Sequence, residues 1–69
     1  MCDFHIRLKT IREESGKLQR EAAEASGVQT RTYQLYEQGK HEPNIEKLIA
    51  LADFFNVSLD YLMGRTDER

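Results

Sequence analysis

Cysteine, proline and tryptophan are scarce in this sequence of 69 residues, which contains one cysteine, one proline and no tryptophan. The lone cysteine, Cys2, cannot form an internal disulfide, which is consistent with a reducing cytoplasm. No apolar stretch approaches the roughly 18 residues of a membrane-spanning helix, and Met1 is not followed by a signal-peptide pattern. The sequence therefore predicts a cytoplasmic protein that neither enters a membrane nor is secreted.

The sequence also lacks the patterns on which enzyme active sites are usually built. No glycine-rich phosphate loop follows a predicted strand, and Ser26 and the scattered carboxylates form no nucleophile–base pair. His5 and His41 have no partner at metal-ligand spacing, which argues against a zinc site. The apolar residues are needed for a core, so none are left to line a substrate pocket. We expect no enzyme activity, no cofactor, no bound metal and no small-molecule ligand.

Apolar residues recur at helical spacing in five short segments, which predicts an all-α fold. A chain of this length buries only about 60% of its unfolded surface, and a compact helical bundle achieves this with local contacts. The expected N-caps are Asp3, Asn44 and Ser58, and Asn56 is an expected left-handed stop. The predicted helices run from Asp3 to about Ser15, from Leu18 or Gln19 to Ser26, from Gln29 or Thr30 to Gln38, from Asn44 to Asn56, and from Ser58 to Gly64.

Each predicted helix has residues at core-facing positions. Ala22, Ala23 and Ser26 in the second helix are small, whereas Tyr33 and Tyr36 in the third are large. Ile6 falls outside the apolar stripe of the first helix, and a single exposed isoleucine needs no special explanation. The other predicted core positions are Phe4, Leu8 and Ile11 in the first helix, Ile45, Leu48, Ile49, Ala52 and Phe55 in the fourth, and Leu59, Leu62 and Met63 in the last.

The stretch from Gly16 to Asn44 predicts two short helices joined by a turn. Gly27 can adopt the left-handed backbone that ends the first of these helices, and Val28 gives the turn an apolar anchor. Gly39 ends the second helix. Two short helices joined at a sharp angle form a helix-turn-helix, and the second helix of such a pair can enter the major groove of DNA.

The sequence from about Phe4 to Gly64 resembles the Cro/C1-type (XRE-like) helix-turn-helix family of phage repressors and bacterial regulators. The resemblance implies a compact five-helix, lambda-repressor-like domain over residues 4–64, with the helix-turn-helix at about residues 19–38 and a polar tail at 65–69. It depends on spaced features rather than on one motif. These are Leu8, Ile11, Arg12, Gln19, Ala23, Gly27-Val28, Tyr36-Glu37, Gly39-Lys40, Glu42-Pro43, Leu48, Leu51-Ala52, Val57-Ser58-Leu59-Asp60, Leu62 and Gly64.

The resemblance also implies a DNA-binding surface. Gln19 matches a phosphate contact at the start of the second helix, where the helix dipole favours an anion. Arg12 and Glu37 match a buried ion pair that ties the first helix to the third. An arginine placed like Arg31 can bond guanine O6 and N7, and Gln34 could pair with adenine. The implied contacts to base edges and flanking phosphates are Gln29, Thr30, Arg31, Gln34 and Leu35, and those to the opposite strand's backbone are Lys40, His41 and Asn44.

Several positions depart from the family's pattern. A Ser or Thr is usual where Leu18 and Gln29 stand, so both helices of the motif are expected to lack a side-chain N-cap, a loss of about 1 kcal/mol at the first. Large aliphatic residues are usual at Ala22 and Ser26. We therefore expect the ring of Tyr33 to fill the space that these small residues leave.

The charge balance bears on the DNA-binding hypothesis. The formal net charge is −2, whereas DNA-binding domains are usually basic. Residues 1–43 hold seven basic and seven acidic side chains, and residues 44–69 hold three basic and five acidic ones. The predicted DNA-binding half is neutral overall, so any attraction to phosphates must come from a local patch.

The sequence thus predicts a small prokaryotic or phage transcriptional regulator, a repressor that binds double-stranded DNA sequence-specifically and acts by operator occupancy. Two copies would bind half-sites of a palindromic operator about 34 Å apart. The predicted homodimer, formed at least on DNA, would use the exposed parts of Leu59, Tyr61 and Met63. The alternative is a protein-interaction module, antirepressor- or antitoxin-like, with weak or no DNA binding. The acidic balance and Leu35, where a polar residue is typical, favour this alternative, whereas Gln19, Arg31 and Lys40 favour the regulator.

Overall fold

The computed structural model describes residues 4–68 of the chain. This part consists of helices and connecting turns, with no strand among its residues. The predicted all-α, five-helix fold is confirmed. The expected N-cap Asp3 and the single cysteine, Cys2, lie outside the described residues. The helices are α1 (Phe4–Ser15), α2 (Gln19–Ser26), α3 (Thr30–Gln38), α4 (Ile45–Phe55) and α5 (Leu59–Leu62).

The predicted helix ends are set by capping residues. The Asn44 Oδ1 accepts a hydrogen bond from the backbone N–H of Lys47 at 3.0 Å and so caps α4. The Ser58 Oγ accepts from the backbone N–H of Tyr61 at 3.0 Å and caps α5. Asn56 stops α4 with a left-handed backbone, at a φ of 57°. Each of these three predictions from the sequence is confirmed.

The helix-turn-helix lacks side-chain N-caps, as its sequence predicts. Neither Leu18, before α2, nor Gln29, before α3, caps its helix through a side chain. The backbone N–H of Leu18 instead donates to the Glu21 side chain at 2.8 Å. This bond is one half of a capping box, because a leucine side chain cannot accept the reciprocal hydrogen bond. The Glu21 carboxylate therefore supplies the local restraint at the start of α2.

The core receives side chains from all five helices. Helix α2 packs against α3 and α4, while α1 packs against α3, α4 and α5. Tyr33 and Tyr36 are the largest fully enclosed side chains, and their rings meet edge to face with centroids 6.1 Å apart. The other buried apolar residues are Leu8, Ile11, Ala22, Ala23, Leu51, Ala52, Phe55, Tyr61 and Leu62.

The predicted apolar face of α4 is partly wrong. Ile45 and Ile49 are 57% and 48% exposed, whereas Leu51 is fully buried. The buried face of α4 consists of Leu51, Ala52 and Phe55, with Leu48 partly buried beside them. Ile45 and Ile49 lie four residues apart on one flank of that face, beyond the neighbouring helices. An apolar stripe this wide cannot all reach the core of a bundle of five short helices.

The prediction that Tyr61 is exposed is also wrong. Tyr61 is buried at 9% exposure, and the guanidinium of Arg7 lies 4.8 Å from its ring centroid. A carboxylate oxygen of Asp67 comes within 3.8 Å of Arg7, so the residues after α5 approach α1. Leu59 and Met63 are only partly buried. The surface left for the proposed dimer contact is therefore Leu59 and Met63.

An ion pair between Arg12 and Glu37 joins α1 to α3. The Arg12 Nε donates to Glu37 Oε2 at 2.6 Å, and a terminal guanidinium nitrogen donates to Oε1 at 3.2 Å. The other terminal nitrogen donates to the backbone oxygen of Lys17 at 3.0 Å, which fixes the segment before α2. The Glu37 side chain is 3% exposed and that of Arg12 is 14% exposed. Because both charges are largely withdrawn from water, each depends on the other.

The surroundings of this pair shift the pKa values of its members. Burial alone would raise the pKa of Glu37, but the hydrogen bonds from Arg12 and Gln19, together with the nearby Tyr33 hydroxyl, outweigh it and hold that pKa below its usual range. The bond to Glu37 raises the pKa of Arg12 in spite of burial. Burial, followed by the Glu37 carboxylate, raises the pKa of Tyr33. Glu37 is therefore a carboxylate at neutral pH.

Replacing Gly39 by Ala should destabilise the protein more than replacing Gly27 by Ala. Both glycines have a left-handed φ, 76° and 75°, so each alanine incurs a similar backbone cost of about 1–2 kcal/mol. An added Cβ at Gly39 would also meet the ring of His5 at 3.1 Å, whereas nothing lies within 4 Å at Gly27. Urea denaturation measures both. In the His5→Ala background the difference between the two glycine variants should disappear; if it persists, the His5 contact is not its cause.

Replacing Tyr33 by Ala should lower the free energy of unfolding by about 3–5 kcal/mol, because a large buried ring leaves a cavity. Tyr33→Phe is the matched control. The enclosed Tyr33 hydroxyl makes no hydrogen bond of regular geometry with residues 4–68, so its removal should change stability by less than about 1.5 kcal/mol. Thermal melting compares the two. A midpoint for Tyr33→Ala close to that of the wild type would contradict the predicted packing role of the ring.

Replacing Glu37 by Gln should lower the free energy of unfolding by about 3 kcal/mol at neutral pH, because Arg12 loses its charged partner in a largely buried site. The folded-state pKa of Glu37 lies below its unfolded value. Its stabilising contribution is therefore complete above the unfolded pKa and is lost as the pH falls through the folded pKa. The gap between wild type and variant should narrow below about pH 4, as urea denaturation at a series of pH values would show.

The exposed carboxylate of Glu42 provides the control for this pH series. Glu42→Gln should change stability little at any pH, because an exposed carboxylate without a close partner contributes little to folding. A wild-type-to-Glu37→Gln gap that stayed constant on acidification would show that the ionised form of Glu37 is not what stabilises the fold.

Candidate nucleic-acid interface

Helices α2 and α3 and the turn between them form the predicted helix-turn-helix. Gly27 ends α2, and its backbone N–H donates to the carbonyl oxygen of Glu24 at 3.2 Å. The backbone N–H of Val28 donates to the oxygen of Ala23 at 3.0 Å. The two bonds close the last turn of α2. The Val28 side chain packs against the core, so the turn is anchored and the start of α3 has a fixed direction.

All of the residues predicted to contact DNA retain some exposure, and none is buried. Arg31 is exposed in the first turn of α3. Neither Arg31 nor Lys40 forms an ion pair with another side chain of residues 4–68. Both positive charges therefore remain available to an external anion. The exposed positions are Gln29, Arg31, Lys40, His41 and Asn44, and the partly buried ones are Gln19, Thr30, Gln34 and Leu35.

The loop between α3 and α4 carries Lys40, His41 and Asn44, and it packs against the rest of the domain. Pro43 is buried, and the ring of His41 stacks on that of Tyr36 with centroids 6.0 Å apart and planes 11° from parallel. The Asn44 oxygen is occupied as the cap of α4. The Asn44 amide NH₂ is therefore the part of that side chain left to donate to a phosphate. No pattern in the sequence predicts this stacking, because it depends on how the loop folds back against α3.

Gln19 is held by other side chains of the protein. Its Nε2 donates to Glu37 Oε1 at 3.1 Å, and its Oε1 accepts from Gln34 Nε2 at 3.4 Å. Gln19 thus connects the buried ion pair to the outward side of α3. An amide nitrogen carries two hydrogens, so Gln19 retains one N–H for a phosphate. No residue pattern indicates the contact with Gln34, because that contact depends on how α2 and α3 cross.

The positive charge near α2 and α3 comes from individual side chains and not from the net charge of the chain. Arg20 and Glu24 lie four residues apart on the exposed side of α2, with an N–O distance of 4.0 Å, so they offset each other. Arg31 at the start of α3 and Lys40 after its end provide the uncompensated positive charge. These two charges, at opposite ends of α3, are the ones that this chain, with its net charge of −2, offers to a polyanion beside the helix-turn-helix.

In the described part of the chain, no three His, Cys, Asp or Glu side chains converge as ligands for a metal ion. Over residues 4–68, no helix combines the length and the apolar content needed to cross a bilayer.

Known proteins with similar sequences are regulators. The chain is 36% identical over 61 residues to the HTH-type transcriptional regulator ImmR of Bacillus subtilis, which aligns 88% of this chain and 48% of that protein. It is 38% identical over 64 residues to the cryptic phage CTXphi transcriptional repressor RstR of Vibrio cholerae, aligning 90% of this chain and 57% of the repressor. The chain therefore spans about half the length of the curated relatives it matches.

Solved structures give the same picture. A transcriptional regulator from Listeria innocua superposes with a TM-score of 0.84 at 40% identity, over 97% of this chain and 63% of that one. The P22 c2 repressor, crystallised with a synthetic operator, superposes with a TM-score of 0.82 at 27% identity, over 91% of this chain and 96% of the crystallised chain.

A family model settles the relationship. The helix-turn-helix model HTH_3 matches residues 8–62, which include α2, the Gly27 turn and α3. The match confirms the resemblance read from the sequence, and it covers most of the chain. On the strength of this match, the chain belongs to the Cro/C1-type (XRE) helix-turn-helix family, whose members named above are transcriptional regulators and repressors.

Proposed function

We propose that this domain binds double-stranded DNA sequence-specifically and represses transcription by occupying an operator. The observation that carries the proposal is the superposition on the operator-bound P22 c2 repressor over 91% of this chain and 96% of the crystallised repressor chain. The helices that bind the operator in the P22 c2 repressor structure have counterparts in the same arrangement in this chain. Helix α3 would lie in the major groove, with its first turn against base edges.

Arg31 would read sequence and Lys40 would hold the backbone. Arg31 is exposed in the first turn of α3, and its guanidinium can donate to guanine O6 and N7 together. Lys40 is exposed just beyond the end of the same helix, where it would contact phosphate. A base contact discriminates between sequences, whereas a phosphate contact strengthens binding to all of them.

The first turns of α2 and α3 would supply further phosphate contacts. Both helices begin without a side-chain acceptor for their first backbone N–H groups, because Leu18 and Gln29 provide none. Phosphate oxygens can take the place of such an acceptor, and the positive end of the helix dipole favours them. Gln19, Gln29 and Thr30 stand at these two helix starts. Leu35, farther along α3, would meet a thymine methyl group.

Binding would involve two copies of the chain on a palindromic site. Half-sites about 34 Å apart place two recognition helices on one side of the duplex. Leu59 and Met63, which are partly exposed at α5, would form the contact between the copies. Tyr61 is not part of that surface, because it is buried under Arg7.

Selection from a random duplex library at low salt tests the proposal. We expect enrichment of a palindromic site and an affinity that falls steeply as salt rises, because bound phosphates release counterions. Arg31→Ala should relax the preference at one base pair, which is worth about 1–3 kcal/mol of discrimination. Lys40→Ala should weaken all sequences alike and reduce the salt slope by about 1.

Lys9→Ala is the control for the loss of a positive charge. Lys9 is exposed on α1, so this substitution removes one positive charge outside the helix-turn-helix. It should leave the sequence preference intact. If no site were enriched at low salt, the domain would instead be a protein-interaction module that keeps the fold, as its net charge of −2 would permit.

A further inference from the structure

One flank of α4 leaves apolar side chains in water. Ile45 and Ile49 are 57% and 48% exposed. They lie four residues apart and are therefore neighbours on the helix surface, and Leu48, three residues after Ile45, lies beside them. A single exposed isoleucine is ordinary on a protein surface, as at Ile6. Two exposed neighbours that continue into further apolar side chains form a patch, and such patches mark sites of interaction.

An apolar groove lies next to these isoleucines, where the start of α1 and the end of α5 meet the first turns of α4. It has a volume of about 110 Å³ and is lined by Phe4, Glu42, Pro43, Leu48 and Met63. A dry cavity of about 150 Å³ with aliphatic and aromatic walls holds one benzene molecule. The groove therefore has room for one aliphatic side chain of an incoming segment.

Acidic side chains border the exposed isoleucines and the groove. Glu46 precedes Ile49 by three residues and Asp53 follows it by four, so both lie beside Ile49 on the surface of α4. Both carboxylates are exposed, as is that of Glu42 in the wall of the groove. None of the three forms an ion pair with another side chain of residues 4–68. Their negative charge is therefore available to an external cation.

Shape and charge together favour one kind of occupant. An amphipathic helix places apolar residues spaced i, i+4 and i+7 along a hydrophobic groove. Lysine or arginine beside those residues would meet the three carboxylates, which gives electrostatic complementarity. Nucleic acid does not fit, because its phosphates would face the same carboxylates. A second copy of the chain would set this acidic surface against itself, and like charges oppose such a contact.

We propose that this α4 surface, made of the groove, the two exposed isoleucines and the three carboxylates, binds an amphipathic basic helix of a partner protein. One apolar side chain of that helix fills the groove beside Leu48, and the next ones pack on Ile45 and Ile49. Its lysine or arginine side chains pair with Glu42, Glu46 and Asp53.

The inference is independent of the proposed DNA-binding function. The α4 surface contains none of the residues predicted to contact DNA. Met63 belongs both to the groove and to the proposed contact between copies of the chain. The substitutions that test the α4 surface are therefore placed at Ile45 and Ile49, which that contact does not include.

Peptide display tests the α4 surface on the full chain, without DNA. The probe is a phage-displayed library of peptides about 16 residues long, roughly four helical turns. Leucines are fixed at i, i+4 and i+7, and the remaining positions are random. We expect the enriched peptides to carry lysine or arginine beside the leucines. Their binding should shift the backbone resonances of Ile45, Leu48 and Met63 and leave those of Arg31 in place.

Exposed positions allow substitutions that spare the fold, which thermal melting checks. The double variant Ile45→Ser/Ile49→Ser should weaken binding of the enriched peptides at least about ten-fold, because aliphatic contacts are lost. Glu46→Lys should also weaken it, and less so at high salt, because it sets like charges together. The matched control is Ile6→Ser, since Ile6 is 55% exposed on α1 and points away from Phe4. It should leave binding unchanged.

Several results would overturn the proposal. These are a library that enriches no peptide, enriched peptides that are acidic, resonance shifts that lie outside the α4 surface, and a double variant that binds as tightly as the wild type. Sedimentation of the chain alone tests the second copy as occupant. Self-association that Ile45→Ser/Ile49→Ser abolishes would assign the surface to a second copy, and the partner helix would be wrong.

The same double variant separates this inference from the proposed function. In the duplex selection, Ile45→Ser/Ile49→Ser should enrich the same site as the wild type. A wild type that enriched peptides but no duplex would remove the DNA-binding function and leave the α4 surface in place. A wild type that enriched a duplex but no peptide would do the reverse.

Discussion

The Glu37 carboxylate is the group on which the rest of the domain depends. It is the charged side chain that the fold takes almost wholly out of water, and such a charge is tolerated only with close partners. Arg12 supplies these from α1, and Gln19 supplies another from α2. A single carboxylate on α3 therefore fixes the relative positions of three helices. Its removal would leave a guanidinium without a counter-charge between them.

The helix-turn-helix follows from this arrangement together with the turn at Gly27. The helices of the motif are short, at 8 and 9 residues, and helices of this length are marginal in isolation. Packing of Tyr33 and Tyr36 into the core holds α3 in place, while its first turn and the loop after it remain exposed. The surface offered to DNA under the proposed function is thus rigid because its inner side is buried.

Local chemistry explains which features were predictable from the sequence. Asn44, Ser58 and Asn56 act on backbone groups within a few residues, so the ends of α4 and α5 could be predicted. The Arg12–Glu37 pair could be inferred only from the family resemblance, since its members are 25 residues apart. The face of α4 and the burial of Tyr61 were mispredicted, because apolar spacing does not show how far neighbouring helices reach. The contact between Gln19 and Gln34 depends on a helix crossing that no residue pattern specifies.

The first turns of α2 and α3, which lack side-chain N-caps, link the stability of the domain to ligand binding. Backbone N–H groups without a side-chain acceptor cost each helix part of its stability while the domain is free. A ligand that completes those turns binds the folded state alone, and it therefore raises the melting temperature as its concentration increases.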